Sequence, residues 1–446
     1  MSGQKLKPNR KKTSSMPNRL LPFLFSAAIV FALTQVGFAQ DWSQWRGPKL
    51  DSVADGQTVV EKLDDATKLW RYEMPGSGGS SPIVVGNRVF ATSVDGESLV
   101  VICVDASTGD ELWKKKVAGK NRASRDGANS ASNSPCSDGT HVWTMFSNGQ
   151  LNCFTLDGEE VWEKSLEDEY GKFDIQFGMS TTPILHDGQL LIGLMHGAMR
   201  GRDSQLPSVG TIVSLHAGMG SENWKHTRKT DAISENKHVY CSPCLAEADG
   251  ETMLIIHGAD YTTAHKIDSG DEVWRIGGMN PKGDKYNPYL RFVASPVSHE
   301  GLLVIPSAKR GSVWALPASQ NGTLTADDLE WDSPRITPDV ATPVVYNDRV
   351  FLAREKGTLA CLDLKTGKKL IEQRYMADKH RSTPVAVDGK LVLTDRSGKV
   401  MLIKADESLE KISEIELGEE TTASPAIAGG KIFVRTFDAL YAFGEK

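Results

Sequence analysis

The eleven residues Cys103-Val-Asp-Ala-Ser-Thr-Gly-Asp-Glu-Leu-Trp113 constrain this chain more than any other stretch. Degenerate copies follow at Ser214 to Trp224, Ala264 to Trp274 and Cys361 to Ile371. Each copy reads as the end of one strand, a tight turn and the start of the next. Val101 and Cys103 alternate with Ile102 and Val104, the period of a strand. Asp105 can accept backbone N–H groups in an Asx-turn, and Gly109 supplies a positive φ without steric cost. Trp113 then opens the following strand. A chain of 446 residues would by length alone be two or three domains. Stacked repeats override that expectation, because neighbouring units share one continuous core.

A second marker, Ser/Thr-Pro before an apolar run, occurs with prolines at 82, 135, 183, 243, 296, 343, 384 and 425, at spacings of 41 to 60 residues. After each marker come a Gly/Asp/Asn turn, a second apolar run, a third strand and the strand that carries the tryptophan. Eight such units predict an all-β fold, an eight-bladed β-propeller of four-stranded blades. The last unit lacks its outer strand, and an orphan, Thr67 to Glu73 with Trp70, precedes the first marker. This N-terminal strand is expected to complete the last blade and close the ring, leaving few exposed edges. The outer-strand column then reads Trp70, Trp113, Trp162, Trp224, Trp274, Trp331, Ile371 and Ile415. A buried tryptophan covers about 150–250 Å², roughly 4–6 kcal/mol of gross burial at ~25 cal/mol per Å².

The six cysteines fall in repeat columns that want small or apolar residues. Cys103, Cys153 and Cys361 share a column with Ser214, Ala264, Ala315 and Ala442. Cys136 and Cys244 follow the marker proline, where other units carry Ile83, Ile184 or Val297. Cys241 stands with Ser80, Ala294 and Ala341. No disulfide is therefore expected. Cys241-Ser-Pro-Cys244 has redox or zinc spacing, but residues i and i+3 on a strand point to opposite faces.

Residues 1–39 read as a secretion signal: a basic segment from Lys5 to Arg19, an apolar run from Leu20 to Leu33, and small residues at Gly37 and Ala39. Met16 is an alternative start, and an uncleaved anchor is the competing reading, although the apolar run is short for a span. Residues 40–66 form an N-terminal extension whose Trp42 and Trp45 are expected to pack on the body, with a loop over 49–66. Residues 67–446 form the propeller. Removing the leader's six basic residues from the chain's 51 leaves 45 against 57 acidic residues, a net −12. That balance argues against a nucleic-acid partner. The expectation is a periplasmic or secreted monomer with no membrane span in its mature chain.

The connections after the second and fourth strands share one face, called the top, and several are long. Loops concentrated on one side of a rigid scaffold mark a functional face. On that face Lys309, Arg310, Arg354, Arg381, Arg396 and Arg435 come from consecutive units and form a basic arc suited to an anionic ligand or an acidic partner protein. The bland alternative is pairing with the neighbouring Glu355, Asp395 and Asp438. No HExxH, GxSxG or P-loop is present, and the marker serines recur by repeat geometry, so no catalytic residue and no metal site is assigned.

Cys103 to Trp113 resembles the tryptophan-docking motif of the pyrroloquinoline quinone enzyme repeat, Ala-x-Asp-x-x-Thr-Gly-x-Glu-x-Trp, with Cys in the Ala place. The resemblance extends over residues 67–446, and Asp41 to Pro48 is similar to the start of exported bacterial quinoprotein-like propellers. It implies the propeller fold and two contrasting activities. One is an alcohol dehydrogenase using the quinone with calcium. The other is a cofactor-free scaffold such as the propeller lipoprotein of outer-membrane protein assembly. The dehydrogenases set two adjacent, disulfide-bonded cysteines against the quinone, and here no two cysteines are adjacent. The scaffold lipoprotein carries a lipid-attachment cysteine that this chain lacks. The expected function is an exported scaffold that binds a protein or anionic ligand through its top face without catalysis and without a cofactor. The quinone- and calcium-dependent dehydrogenase is the alternative, with a hydrolase or lyase behind it.

Overall fold

The structure, a computed structural model, describes residues 41–122, 128–194, 205, 208–375 and 379–446. The proposed leader lies outside the described residues, as do 123–127 and 195–204 within two of the long top connections. Among the described residues, no helix is long and apolar enough to cross a membrane.

Eight antiparallel meanders follow one another in chain order and close on themselves. Blades are numbered here from the first marker, so blade 1 starts with Ile83–Val85 and blade 8 with Ala426–Ala428. The inner three strands of each are largely buried, as in Arg88–Asp95 and Ser98–Asp105 of blade 1. The outer strand is mostly exposed, as in Glu111–Val117, where only Trp113 and Val117 are half-buried. The orphan strand Lys68–Glu73 pairs antiparallel with Ala439–Phe443 and completes blade 8 as expected, with Trp70 opposite Ala442. Blade 4 exceeds the expectation: Gly322–Leu324 pairs parallel with Glu272–Gly277 and adds a fifth strand.

The tryptophans join blade to blade. The indole N–H of Trp113 donates to the carbonyl of Leu156 in blade 2 at 2.9 Å, and that of Trp224 in blade 3 to Ile267 in blade 4 at 2.8 Å. Across the closing seam, Trp70 reaches Ala106 of blade 1 at 3.2 Å. The ring lies flat against the turn glycine of the receiving blade. A Cβ on Gly270 would stand 2.4 Å from Trp224, so this glycine answers both a positive φ and a close approach.

The column of tryptophans ends as expected at Ile371, opposite Cys361. In blade 7 the residue opposite Leu402 is Ser413, and Ile415 lies two places further along. The expected Ile415 is thus corrected to Ser413. Its hydroxyl accepts from the Leu63 N–H at 2.9 Å, and buried Leu63 joins a core against which Ile412, Ile415 and Leu417 also pack. Between blades 6 and 7 the Tyr375 hydroxyl donates to the Leu409 carbonyl. Where the indole is lost, other side chains span the seam.

All six cysteines are single and buried. Burial pushes the thiols of Cys244 and Cys361 up to about 11 and those of Cys103 and Cys153 to about 12, so they behave as small core hydrophobes.

Residues 41–66 are a strap rather than a loose loop. Trp42 bridges to Val84 of blade 1 and Gln44 to Cys136 of blade 2. Gln44 Oε1 accepts from the Leu185 N–H of blade 3 at 3.0 Å, and Arg46 donates to the Pro296 carbonyl of blade 5 at 2.9 Å. Ala54 and Ala386 of blade 7 are bonded at 2.8 Å, and Gln57 donates to Ile427 of blade 8 at 3.2 Å. Successive strap residues thus meet blades 1, 2, 3, 5, 7 and 8 in ring order, so the strap runs round the propeller axis. It does so on the side of these strands that leads away from the markers.

Candidate functional site

The site is built from the marker itself. Proline has no N–H and a fixed φ, so the residue before it must place its own N–H elsewhere. In every blade that N–H donates to the marker hydroxyl of the next. Ser81 donates to Ser134 at 2.9 Å and Ser134 to Thr182 at 3.2 Å. The series continues through Ser242, Ser295, Thr342, Thr383 and Ser424 at 2.9–3.3 Å. Ser424 donates back to Ser81 at 2.9 Å. Eight hydrogen bonds thus form a closed circle round the axis. Each oxygen accepts a backbone N–H, and among the described residues none of these eight hydroxyls donates to a protein acceptor. All eight line an axial cavity of about 250 Å³.

Residues two before the marker hydroxyl line the same cavity, because alternate residues of an extended segment share a face. That second tier runs from Gly79, Ser132 and Ser180 through Tyr240, Val293 and Val340 to Arg381 and Thr422. Its one charged member is Arg381 and its one aromatic is Tyr240. Trp45 of the strap, Ala128, Phe177, Phe437, Arg291 and Asp339 complete the wall. The Arg46 guanidinium lies over the Trp45 ring, 4.6 Å from its centroid.

Arg291 pairs with Glu235 at 3.2 Å and lies over Phe177 at 5.1 Å. Asp339 is the cavity's single carboxylate among the described residues. Burial holds its pKa above the ordinary value, aided by Glu355 and opposed by Lys309, Arg291 and Arg381.

The basic arc is only partly assembled. Arg381 lines the cavity. Arg310 is exposed, held at φ 66° in a tight turn. Lys309 pairs with Glu355, one of the three acids expected to neutralise the arc. Arg354 pairs with Glu372, and Arg396 with Glu420 at 3.2 Å, rather than with the adjacent acids. Arg435 is fully buried in the seam between blades 8 and 1, where it donates to the Ser80 hydroxyl and the Thr92 carbonyl. It holds the seam and is not open to a ligand; burial with no carboxylate partner pulls its pKa down to about 9. Arg291, Asp339 and Trp45 were not foreseen. The tier containing Arg381 could have been, since it lies at a constant offset from every marker proline.

A closed ring of eight antiparallel blades, with indoles spanning six of its seams, defines a propeller of the pyrroloquinoline quinone repeat class. Residues 51–193 and 200–373 match the family described as outer membrane protein assembly factor BamB, and the chain belongs to that family. The BamB protein of Burkholderia pseudomallei is 21% identical over 391 residues, covering 86% of this chain and 90% of that one. The crystal structure of BamB from Moraxella catarrhalis superposes with a TM-score of 0.60 at 14% identity, over 85% of this chain and 98% of that one. A polyvinylalcohol dehydrogenase from a Pseudomonas species is 27% identical over 301 residues, which span 57% of this chain and 45% of the enzyme.

Proposed function

We propose that the protein is an exported, non-catalytic scaffold that receives an acidic segment of a partner protein at its top face, centred on the axial cavity. The observation that carries this reading is the placement of Arg381 and Arg291 beside a circle of hydroxyls whose protons the protein itself does not use. Donors and cations facing one concave space favour a carboxylate-bearing ligand. The membership of an assembly-factor family supports a scaffold. Arg310 extends the positive field outward; Lys309, Arg354 and Arg396 contribute as members of ion pairs.

The quinone reading is weighed against the same cavity. Two arginines and Trp45 could face a planar acid. None of the six cysteines lines the space, however, and one carboxylate beside two guanidinium groups is a poor oxygen set for calcium, which takes six to eight oxygen ligands. The residues present do not fit the quinone–calcium pair.

The test is binding of a fluorescent polyglutamate peptide to the mature protein and to an Arg310→Glu, Arg381→Glu double variant. Binding should fall by about tenfold or more in the variant and weaken with salt, since the Debye length shrinks to about 3 Å at 1 M. Equal binding by the variant, or binding indifferent to salt, overturns the reading.

A further inference from the structure

The repeat shows where this chain departs from what packing alone requires. The residue after the small-residue column is apolar and buried in seven blades, from Val104 in blade 1 to Phe443 in blade 8. In blade 4 that residue is His265, equally buried. Its cross-strand partner is Glu272. His226, on the outer strand Glu222–Thr230 of blade 3, meets it edge to face, with ring centroids 5.1 Å apart. One ligand atom from each of the three residues can be chosen so that all lie within 4.8 Å of one another.

The hydrogen bonds suit metal ligation. Nδ1 of His265 lies 3.0 Å from the Gly270 carbonyl. A carbonyl only accepts, so the proton sits on Nδ1 and Nε2 keeps its lone pair. This is the outer-shell bond that metal-ligating histidines make. Nε2 faces the Thr263 hydroxyl at 2.8 Å. That hydroxyl has another acceptor in the Ile256 carbonyl at 3.4 Å, to which it can turn. No hydrogen bond engages the imidazole ring of His226 among the described residues. Glu272 is held by Arg275 through both oxygens, at 2.5 and 2.7 Å. One oxygen can stay on the guanidinium while the other turns inward.

We propose that His226, His265 and Glu272 form a binding site for a divalent ion of the zinc class, bridging blades 3 and 4. Two imidazoles select zinc, copper or nickel over calcium or magnesium, which prefer oxygen. Two histidines and one carboxylate leave a fourth position for water. Ligands around zinc at about 2.1 Å stand about 3.4 Å apart, so the widest separation must close by about 1.4 Å, and half-buried His226 is the ligand with room to move. Arg275 and the buried Arg228, whose Nε donates to Thr263 at 2.9 Å, repel a cation. The expected affinity is therefore micromolar.

The test is calorimetric titration of the mature, chelator-treated protein with Zn²⁺, with Co²⁺ as a spectroscopic reporter. The wild type should bind one equivalent and show the visible absorption of four-coordinate cobalt. His226→Gln should weaken binding by about tenfold or more. His265→Leu restores the residue type of the other blades; it should abolish binding and leave the melting temperature equal or higher. No uptake by the wild type, or undiminished uptake by both variants, overturns the site. Loss of uptake in His186→Gln alone would assign the ion to an unrelated surface histidine and would overturn it equally.

Discussion

The backbone N–H of Ser424 donates to the hydroxyl of Ser81 at 2.9 Å, across 343 positions of the chain. This single bond makes a circle of what would otherwise be an open arc. It lies beside the buried guanidinium of Arg435, which crosses the same seam.

Replacing Ser81 with alanine removes the acceptor for the Ser424 N–H in a buried position. An unsatisfied buried donor costs about 1–3 kcal/mol. Urea denaturation of Ser81→Ala should show that loss with an unchanged m-value. A smaller effect would mean that water replaces the hydroxyl.

The strap makes residues 41–56 structural. Deleting them removes buried Trp42, Arg46 and Leu50 as well as the bonds to blades 1, 2, 3, 5 and 7. Thermal melts of a chain starting at Gln57 should show a marked drop in melting temperature, and a chain starting at Met74 should fall further because blade 8 then loses its outer strand. Equal melting of the full mature chain and the first truncation would show that the strap is dispensable.

Two glycines separate conformational strain from collision. Gly250 has φ 82° with nothing near its missing side chain, whereas Gly270 has φ 74° and the Trp224 ring 2.4 Å from an added Cβ. Gly250→Ala should cost about 1 kcal/mol, from φ alone. Gly270→Ala should cost about 1–3 kcal/mol more, because the indole must move. Chemical denaturation of the pair measures the difference directly.

Much of this was legible from periodicity. Trp113 and Gly109 identify a turn, a docking partner and a blade, because each blade repeats the same local demand. Ser413 was misread as Ile415 because its partner Leu63 comes from 350 residues away, and no local pattern records such a contact. Arg435 looked like a surface base because charged residues are seldom buried; its burial depends on carbonyls from blade 1 that its own neighbourhood does not reveal. Arg381 was found by charge, yet the tier it belongs to follows from strand alternation alone.

Acid should weaken the fold before the carboxylates titrate. His257 is wholly buried, with Nε2 2.9 Å from the Pro306 carbonyl and its ring stacked on Phe292. Burial pushes its pKa down to about 3, and that of His380 to about 4. Unfolded histidine titrates near ~6.5. A histidine held neutral in the fold gains its proton first in the unfolded chain, so its stability contribution is whole above that value and drains away as pH falls toward the folded pKa. At pH 5 the loss is about 2 kcal/mol for each such histidine. Melting temperatures between pH 7 and 5 should fall in the wild type, and the slope should flatten in His257→Gln. An unchanged slope would place the acid sensitivity elsewhere.

Strand Lys68–Glu73 pairs only with Ala439–Phe443 within its sheet, so the first strand to leave the ribosome waits for the last. Blades 1 to 7 can form in order of synthesis, each resting on the one before. The end of the strap at Gln57 and the strand that carries Trp70 cannot settle until blade 8 arrives. Until then the chain carries the unpaired strand of Trp70 near its leading end, the kind of surface that invites misassembly. The final step is therefore all-or-none and late, and a chain that loses its last few residues forfeits its first strand as well.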